Sequence, residues 1–127
     1  MNHVLAPDAP APVGPYSQGI VYGDFVFLSG QIPLDPQTGQ LLGGSIEEQA
    51  EQVLRNLDAV LRAAGASWQS VLRVTVYMTR LDEFARFNGV YERMLQGAKP
   101  ARSTVQVSAL PLGARLEIDA IAGIAAR

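Results

Sequence analysis

Two residues near the C-terminus provide most of the chemical potential in this sequence. Arg102 lies in the run Pro-Ala-Arg-Ser at the start of one predicted strand, and Glu117 lies on the next predicted strand. A guanidinium binds a carboxylate through two parallel hydrogen bonds, and a nearby carboxylate can orient or deprotonate a water molecule. Considered singly, each residue is explained better by an ordinary surface position, because surface ion pairs are common and contribute little. Considered together, they predict a small pocket for an anionic substrate.

The composition narrows the chemistry further. The chain has 127 residues, of which 48% are hydrophobic and 17% charged, so we expect a single domain over 1–127 with a substantial core. A formal net charge of −2 does not favour nucleic-acid binding through a basic face. The sequence has no cysteine, and its single histidine, His3, is expected to be a solvated residue of an N-terminal tail. We therefore predict no metal site, no cofactor and no Ser-His-Asp triad.

The N-terminal segment 1–15 lacks the basic start and the apolar stretch of a signal peptide. No window is apolar over the length that a membrane span needs. The sequence therefore predicts a cytoplasmic protein without a membrane partner.

Hydrophobic periodicity and turn residues predict the order strand, strand, helix, strand, helix, strand, strand. Ser45 and Glu48 form a capping-box pattern at the first helix, and Gly65 is placed to end it. This order is typical of an α/β (α+β) chain with a single mixed sheet of about five to six strands and both helices on one face. The strands are expected at 16–21, 25–31, 72–78, 102–107 and 115–124, and the helices at 45–64 and 81–95.

Residue alternation along the strands predicts what each face of the sheet carries. Leu116 and Ile118 suit the helix-covered core, whereas Glu117 points to the opposite face. We expect Arg102 and Thr104 on that open face as well, next to the strand of Glu117. Since the open face is half apolar, it is explained better by packing against other subunits than by exposure to water.

Several short tracts, taken in order, resemble the reactive intermediate deaminase family, RidA or YjgF, in its arginine-containing deaminase group. The resemblance runs from about residue 6 to residue 124. The tracts are Gly14-Pro15-Tyr16-Ser17-Gln18, Ser29-Gly30-Gln31-Ile32-Pro33, Asn56, Asn88, Pro100-Ala101-Arg102-Ser103, Leu110-Pro111 and Glu117-Ile118.

The resemblance implies a chorismate-mutase-like fold, assembled as a homotrimer with a barrel-like core of sheets and sites at the subunit interfaces. It implies hydrolysis of reactive 2-imino acids and their enamine tautomers, such as 2-iminobutanoate and 2-iminopropanoate, to 2-keto acids and ammonia. Arg102 would bind the substrate carboxylate and Glu117 would act on the attacking water. The positions that would line the pocket are Tyr16, Ser29, Gly30, Asn88 and Thr104.

Residues from the same set also have ordinary structural explanations. Tyr16 and Ser29 can be a packed aromatic and a serine that satisfies backbone groups, and Asn88 is expected to be half buried and hydrogen-bonded. Thr104 stands where many family members have cysteine, and Gln106 where some have glutamate. Two other functions remain open: a regulatory or non-catalytic trimer that binds a small carboxylate, and a deaminase for an enamine from aromatic catabolism.

Overall fold

The computed structural model describes residues 2–124, which form one six-stranded sheet and two helices. This architecture confirms the predicted fold class. The sheet order is β1-β2-β3-β6-β4-β5, and every pair is antiparallel except β4 with β5. The elements are β1 (Asn2–Val4), β2 (Gly19–Tyr22), β3 (Phe25–Gln31), α1 (Ile46–Ala63), β4 (Val71–Met78), α2 (Phe84–Met94), β5 (Ala101–Gln106) and β6 (Leu116–Gly123).

The first helix begins and ends where its sequence signals indicate. The Ser45 side chain accepts a hydrogen bond from the Glu48 backbone N–H at 3.1 Å, and a Glu48 carboxylate oxygen accepts one from the Ser45 N–H at 3.1 Å. Gly65 follows the helix with a φ of 79°, a left-handed conformation that glycine adopts without a Cβ clash. The second helix is shorter than predicted, because residues Leu81–Glu83 form a 3₁₀ turn before α2.

Both helices lie on the same face of the sheet because of the way the strands are connected. The crossovers from β3 to β4 through α1 and from β4 to β5 through α2 move in the same direction across the sheet. Crossovers of one hand that progress in one direction place their helices on one side. The core is formed between this helical layer and the strand residues that face it, among them Val26, Leu28, Val74, Val76 and Ile118.

The opposite face of the sheet is not covered by any residue that the structure describes. Phe25 and Phe27 are each 45% exposed on this face, and Val105 is 42% exposed. Large side chains exposed side by side are unusual on a monomer surface. No helix among residues 2–124 combines the length and the apolarity of a membrane span.

The N-terminal segment differs from the predicted tail. Residues Asn2–Val4 pair with β2 as an edge strand, and His3 Nδ1 lies 2.5 Å from the Ser17 hydroxyl oxygen. A strand of three residues is too short to carry a recognisable alternation pattern, and this explains the error. The predicted strand at 16–21 begins only at Gly19.

Candidate functional site

Arg102 and Glu117 lie on opposite faces of the sheet, so the predicted pocket within one chain is wrong. Strand β4 lies between β5 and β6. Arg102 is in register with Val74, which faces the helices, whereas Glu117 is in register with Tyr77 on the open face. Thr104, in register with Val76, also faces the helical side rather than sharing the open face with Tyr77. The face was predicted wrongly because the polar positions of β5 face the helices, whereas its apolar Val105 is exposed on the open face.

The surroundings of Arg102 are built by α2, and we call this surface the arginine half-site (Phe84, Asn88, Tyr91, Arg102). The Arg102 Nη1 group donates a hydrogen bond to Asn88 Oδ1 at 2.9 Å. The guanidinium carbon lies 5.3 Å from the centre of the Phe84 ring and 4.8 Å from that of Tyr91. The prediction that Asn88 is half buried and hydrogen-bonded is confirmed. A surface depression of about 610 Å³ borders Asn88, Tyr91 and Arg102.

Two buried hydroxyl groups lie on the same side of the sheet as Arg102. The Tyr91 hydroxyl and Thr104 Oγ1 are buried, and neither makes a hydrogen bond of ordinary geometry with a residue in 2–124. Burial raises the pKa of Tyr91, and the nearby Arg102 charge partly offsets this rise. Most buried polar groups in proteins are hydrogen-bonded, so these two hydroxyls keep bonding capacity on the face that carries Arg102.

Glu117 lies on the open face against the backbone of β3, and we call this surface the glutamate half-site (Tyr16, Ser29, Gly30, Glu117). A Cβ atom at Gly30 would stand 2.2 Å from Glu117 Oε2, so only glycine allows the carboxylate to occupy this position. Gly30 lies where the pairing of β3 with β6 shifts register between Leu28 and Gln31. A β-bulge of this kind redirects side chains locally.

The electrostatic setting of Glu117 favours its protonated form. Burial raises the pKa of Glu117, and the negative charge of Asp119 raises it further. Asp119 in turn accepts a hydrogen bond from the Tyr77 hydroxyl at 3.0 Å, whereas the Glu117 carboxylate makes no hydrogen bond or ion pair to any residue in the described chain. A half-buried carboxylate of raised pKa and free lone pairs is suited to take a proton from water and give it back.

A cleft of about 320 Å³ is lined by Tyr16, Ser29, Gly30 and Pro111. Gly30 links this cleft to Glu117, because the carboxylate lies against the Gly30 backbone. The Ser29 hydroxyl donates a hydrogen bond to the Ser17 carbonyl at 2.6 Å, so the expectation that it satisfies a backbone group is confirmed. Tyr16 is 48% exposed rather than packed in the core. The structure thus brings Gly30 to Glu117 and places Tyr16 and Ser29 in the cleft that Gly30 also lines. Asn88 and Thr104 lie on the Arg102 side.

Some residues that shape the two half-sites were given no role in the site by the sequence analysis. Asn56, buried in α1, donates hydrogen bonds to the carbonyls of Ile32 and Leu34 and so fixes one wall of the cleft. Phe84 and Tyr91 flank Arg102, and their spacing around Asn88 on one helix stripe is the signal that could have identified them. Residues 2–124 contain no cluster of three potential metal ligands.

Comparison with known proteins agrees with this fold. The family model described as Endoribonuclease L-PSP matches residues 6–124. The chain belongs to this family, which also contains the RidA and YjgF proteins, and the resemblance inferred from the sequence is confirmed.

Three relatives illustrate the similarity. The 2-iminobutanoate/2-iminopropanoate deaminase of Mus musculus is 45% identical over 114 residues, which are 90% of this chain and 84% of that protein. The crystal structure of Escherichia coli TdcF with bound serine matches with a TM-score of 0.94 at 40% identity, and covers 98% of this chain and 100% of that one. RidA from an Antarctic Psychrobacter species matches with a TM-score of 0.94 at 42% identity, with the same coverage.

Proposed function

We propose that this protein hydrolyses 2-imino acids, such as 2-iminobutanoate and 2-iminopropanoate, to 2-keto acids and ammonia. A protonated imine, R–C(=NH₂⁺)–COO⁻, and one water molecule give R–CO–COO⁻ and NH₄⁺, without a change of oxidation state. The activity named for the mouse relative supports the reaction class. The observation that carries the proposal is that a carboxylate-binding guanidinium and a carboxyl group of raised pKa occupy two separate, incomplete half-sites.

The two half-sites become one site only between copies of the chain. Within a single copy, Arg102 and Glu117 lie on opposite faces of the sheet and cannot both contact one small molecule. A contact between the arginine half-site of one copy and the glutamate half-site of the next is heterologous, and repeated heterologous contacts close into a ring. We propose a homotrimer with three such sites. The exposed Phe25 and Phe27 support burial of the open face in that assembly.

The proposed mechanism assigns one role to each half-site. The Arg102 fork binds the substrate carboxylate and so fixes the position of the neighbouring C2 carbon. Glu117 accepts a proton from a water molecule as its oxygen attacks C2 and forms a carbinolamine. The same carboxyl then returns the proton to nitrogen. The C–N bond breaks while the carbinolamine hydroxyl gives its proton to the Glu117 carboxylate, which forms the C=O bond of the 2-keto acid and releases ammonia. Ammonia takes this proton and leaves as NH₄⁺. The raised pKa of Glu117 suits a group that must both accept and donate.

One observation favours a second candidate function. The E. coli TdcF structure contains bound serine, an amino acid whose carboxylate resembles that of the proposed substrate. A trimer that only binds small carboxylates would use the arginine half-site in the same way but would not need Glu117. The name of the family describes an endoribonuclease, but a net charge of −2 gives little of the phosphate attraction on which nucleic-acid binding depends.

Subunit mixing tests the proposal directly. Arg102→Ala and Glu117→Gln are each expected to have little activity on a 2-imino acid formed in situ from threonine by a dehydratase. When the two variants are dissociated and reassembled in equal amounts, about one quarter of the interfaces should combine an intact Arg102 with an intact Glu117. Activity should therefore recover to about a quarter of the wild-type value, with each variant reassembled alone as the control.

Binding and turnover measured on the same samples separate the alternatives. Arg102→Ala should lose affinity for an unreactive 2-keto acid, and Arg102→Lys should recover little of it, because an ammonium lacks the planar fork. Glu117→Gln should retain binding while its rate falls by roughly 10²–10⁴-fold. Mixed trimers that form without recovering activity would disprove the two-copy site. A wild-type protein that binds the keto acid but does not hydrolyse the imine would establish the binding function instead.

A further inference from the structure

We propose that the rings of Phe84 and Tyr91 position Arg102, holding its guanidinium between them so that one edge is presented to the substrate carboxylate. The inference rests on the proposed function, since it concerns how the carboxylate-binding group is oriented. Neither ring was implicated by the sequence, and neither is expected to contact the reacting atoms. They are therefore positioning residues that act through Arg102.

The first argument is the geometry of α2. Phe84, Asn88 and Tyr91 are spaced i, i+4 and i+7, so they lie on one stripe of the helix. Residues seven apart are separated by about 10.5 Å along a helix axis. The guanidinium carbon lies 5.3 Å from the centre of the Phe84 ring and 4.8 Å from that of Tyr91, so it contacts both rings although they belong to different helical turns. The Arg102 head group therefore occupies the gap of two turns between the rings, above Asn88.

The second argument is how the donors of Arg102 are used. Its guanidinium has five N–H donors in one plane, and one of them, on Nη1, is used by Asn88 Oδ1 at 2.9 Å. Rings on either side restrict rotation of the plane, and Asn88 occupies one edge. The remaining edge keeps free donors in a fork that matches a carboxylate.

The third argument is that the rings are themselves fixed. Tyr91 is only 9% exposed and packs against Phe87, which is fully buried, with ring centres 5.5 Å apart and planes inclined by 44°. A flexible arginine loses rotamer freedom when it binds a ligand, and that loss weakens binding. Because the cage orders Arg102 before the ligand arrives, removing a ring should weaken the binding of a carboxylate even though the donors of Arg102 and the Asn88 acceptor remain.

The test measures the affinity for 2-ketobutanoate by calorimetry in Phe84→Leu and Tyr91→Leu, on trimers checked by ultracentrifugation. Each variant should bind about 3- to 30-fold more weakly, the range expected for loss of one cation–π contact. The conservative variants Phe84→Tyr and Tyr91→Phe retain a ring and should recover most of the affinity. Val90→Ala removes buried volume from the same helix, off the stripe of Phe84 and Tyr91, and should lower the melting temperature without a comparable loss of affinity.

A double-mutant comparison distinguishes positioning from a general structural role. In an Arg102→Ala background, the leucine substitutions should change kcat/KM by no more than about twofold, because the group they position is gone. Equal losses in both backgrounds, or wild-type affinity in both leucine variants, would overturn the cage. Phe84 lies in the first helical turn and is partly exposed, so Phe84→Leu alone decides the question if Tyr91→Leu does not fold.

The same measurements show which proposal fails. If Arg102→Ala binds 2-ketobutanoate as well as the wild type does, the carboxylate site itself is wrong and the proposed function fails with it. If Arg102→Ala loses binding while both leucine variants keep it, only the positioning proposal fails.

Discussion

Gly30 and Glu117 are in contact, so a single carbon atom added at Gly30 would displace the Glu117 carboxylate without disturbing the fold. In Gly30→Ala the added Cβ would lie 2.2 Å from Glu117 Oε2 and 2.8 Å from its Cδ. An ordinary contact requires roughly 3.5 Å, so the carboxylate must move by about 1 Å or more. Gly30 does not have a positive φ, so alanine fits the backbone without strain.

The expected result is a loss of activity at nearly unchanged stability. The atoms that must move are the end of a flexible side chain, so the fold can accommodate the change. Replacing glycine by alanine also reduces the conformational freedom of the unfolded chain, which stabilises the folded protein by about 0.4–1 kcal/mol. A misplacement of about 1 Å can lower a rate about 10²-fold, equivalent to about 2.7 kcal/mol in the barrier. We therefore expect kcat/KM to fall about 100-fold while the melting temperature stays the same or rises slightly.

The assay follows formation of the 2-keto acid from an imine generated in situ, with thermal melting on the same samples. Gly43→Ala is the matched control, because its Cβ would have no neighbour within 4 Å and its φ is not positive. In a Glu117→Gln background, Gly30→Ala should add less than its effect alone, because the base has already been removed. Full activity in Gly30→Ala would refute the assignment of Glu117, as would an equal loss in Gly43→Ala.

Two further predictions concern stability. Burial and the charge of Asp119 raise the pKa of Glu117 in the folded protein. The protonation of Glu117 therefore contributes fully to the free energy of unfolding below its ordinary pKa of about 4.3, and this contribution is lost as the pH rises through the higher folded-state pKa. Melting curves should therefore show Glu117→Gln gaining stability relative to wild type between pH 4 and pH 8, and a relative loss would contradict the proposed environment. Ser45→Ala removes the side-chain half of the capping box and should cost about 1 kcal/mol, a fall in melting temperature of about 3–5 °C in calorimetry; an unchanged melting point would show that the cap contributes nothing.

The sequence alone determined most of the local structure. The bounds of α1 follow from Ser45, Glu48 and Gly65, because capping and left-handed glycine are governed by neighbouring residues. The alternation along β6 identified Leu116 and Ile118 as core residues and placed Glu117 on the opposite face. Family membership could also be inferred, because the order of short tracts is a property of the sequence itself.

Only the tertiary structure decided how the chemical groups are arranged. The insertion of β4 between β5 and β6 separated the strands of Arg102 and Glu117, and their registers on β4 put the two side chains on opposite faces, although each strand had been recognised. The approach of Glu117 to Gly30 joins residues 87 positions apart in the sequence, at a register shift between β3 and β6. Pairing between distant strands is determined by the packing of the whole sheet, so the alternation within a strand identified neither its neighbours nor, for β5, the face that carries Arg102.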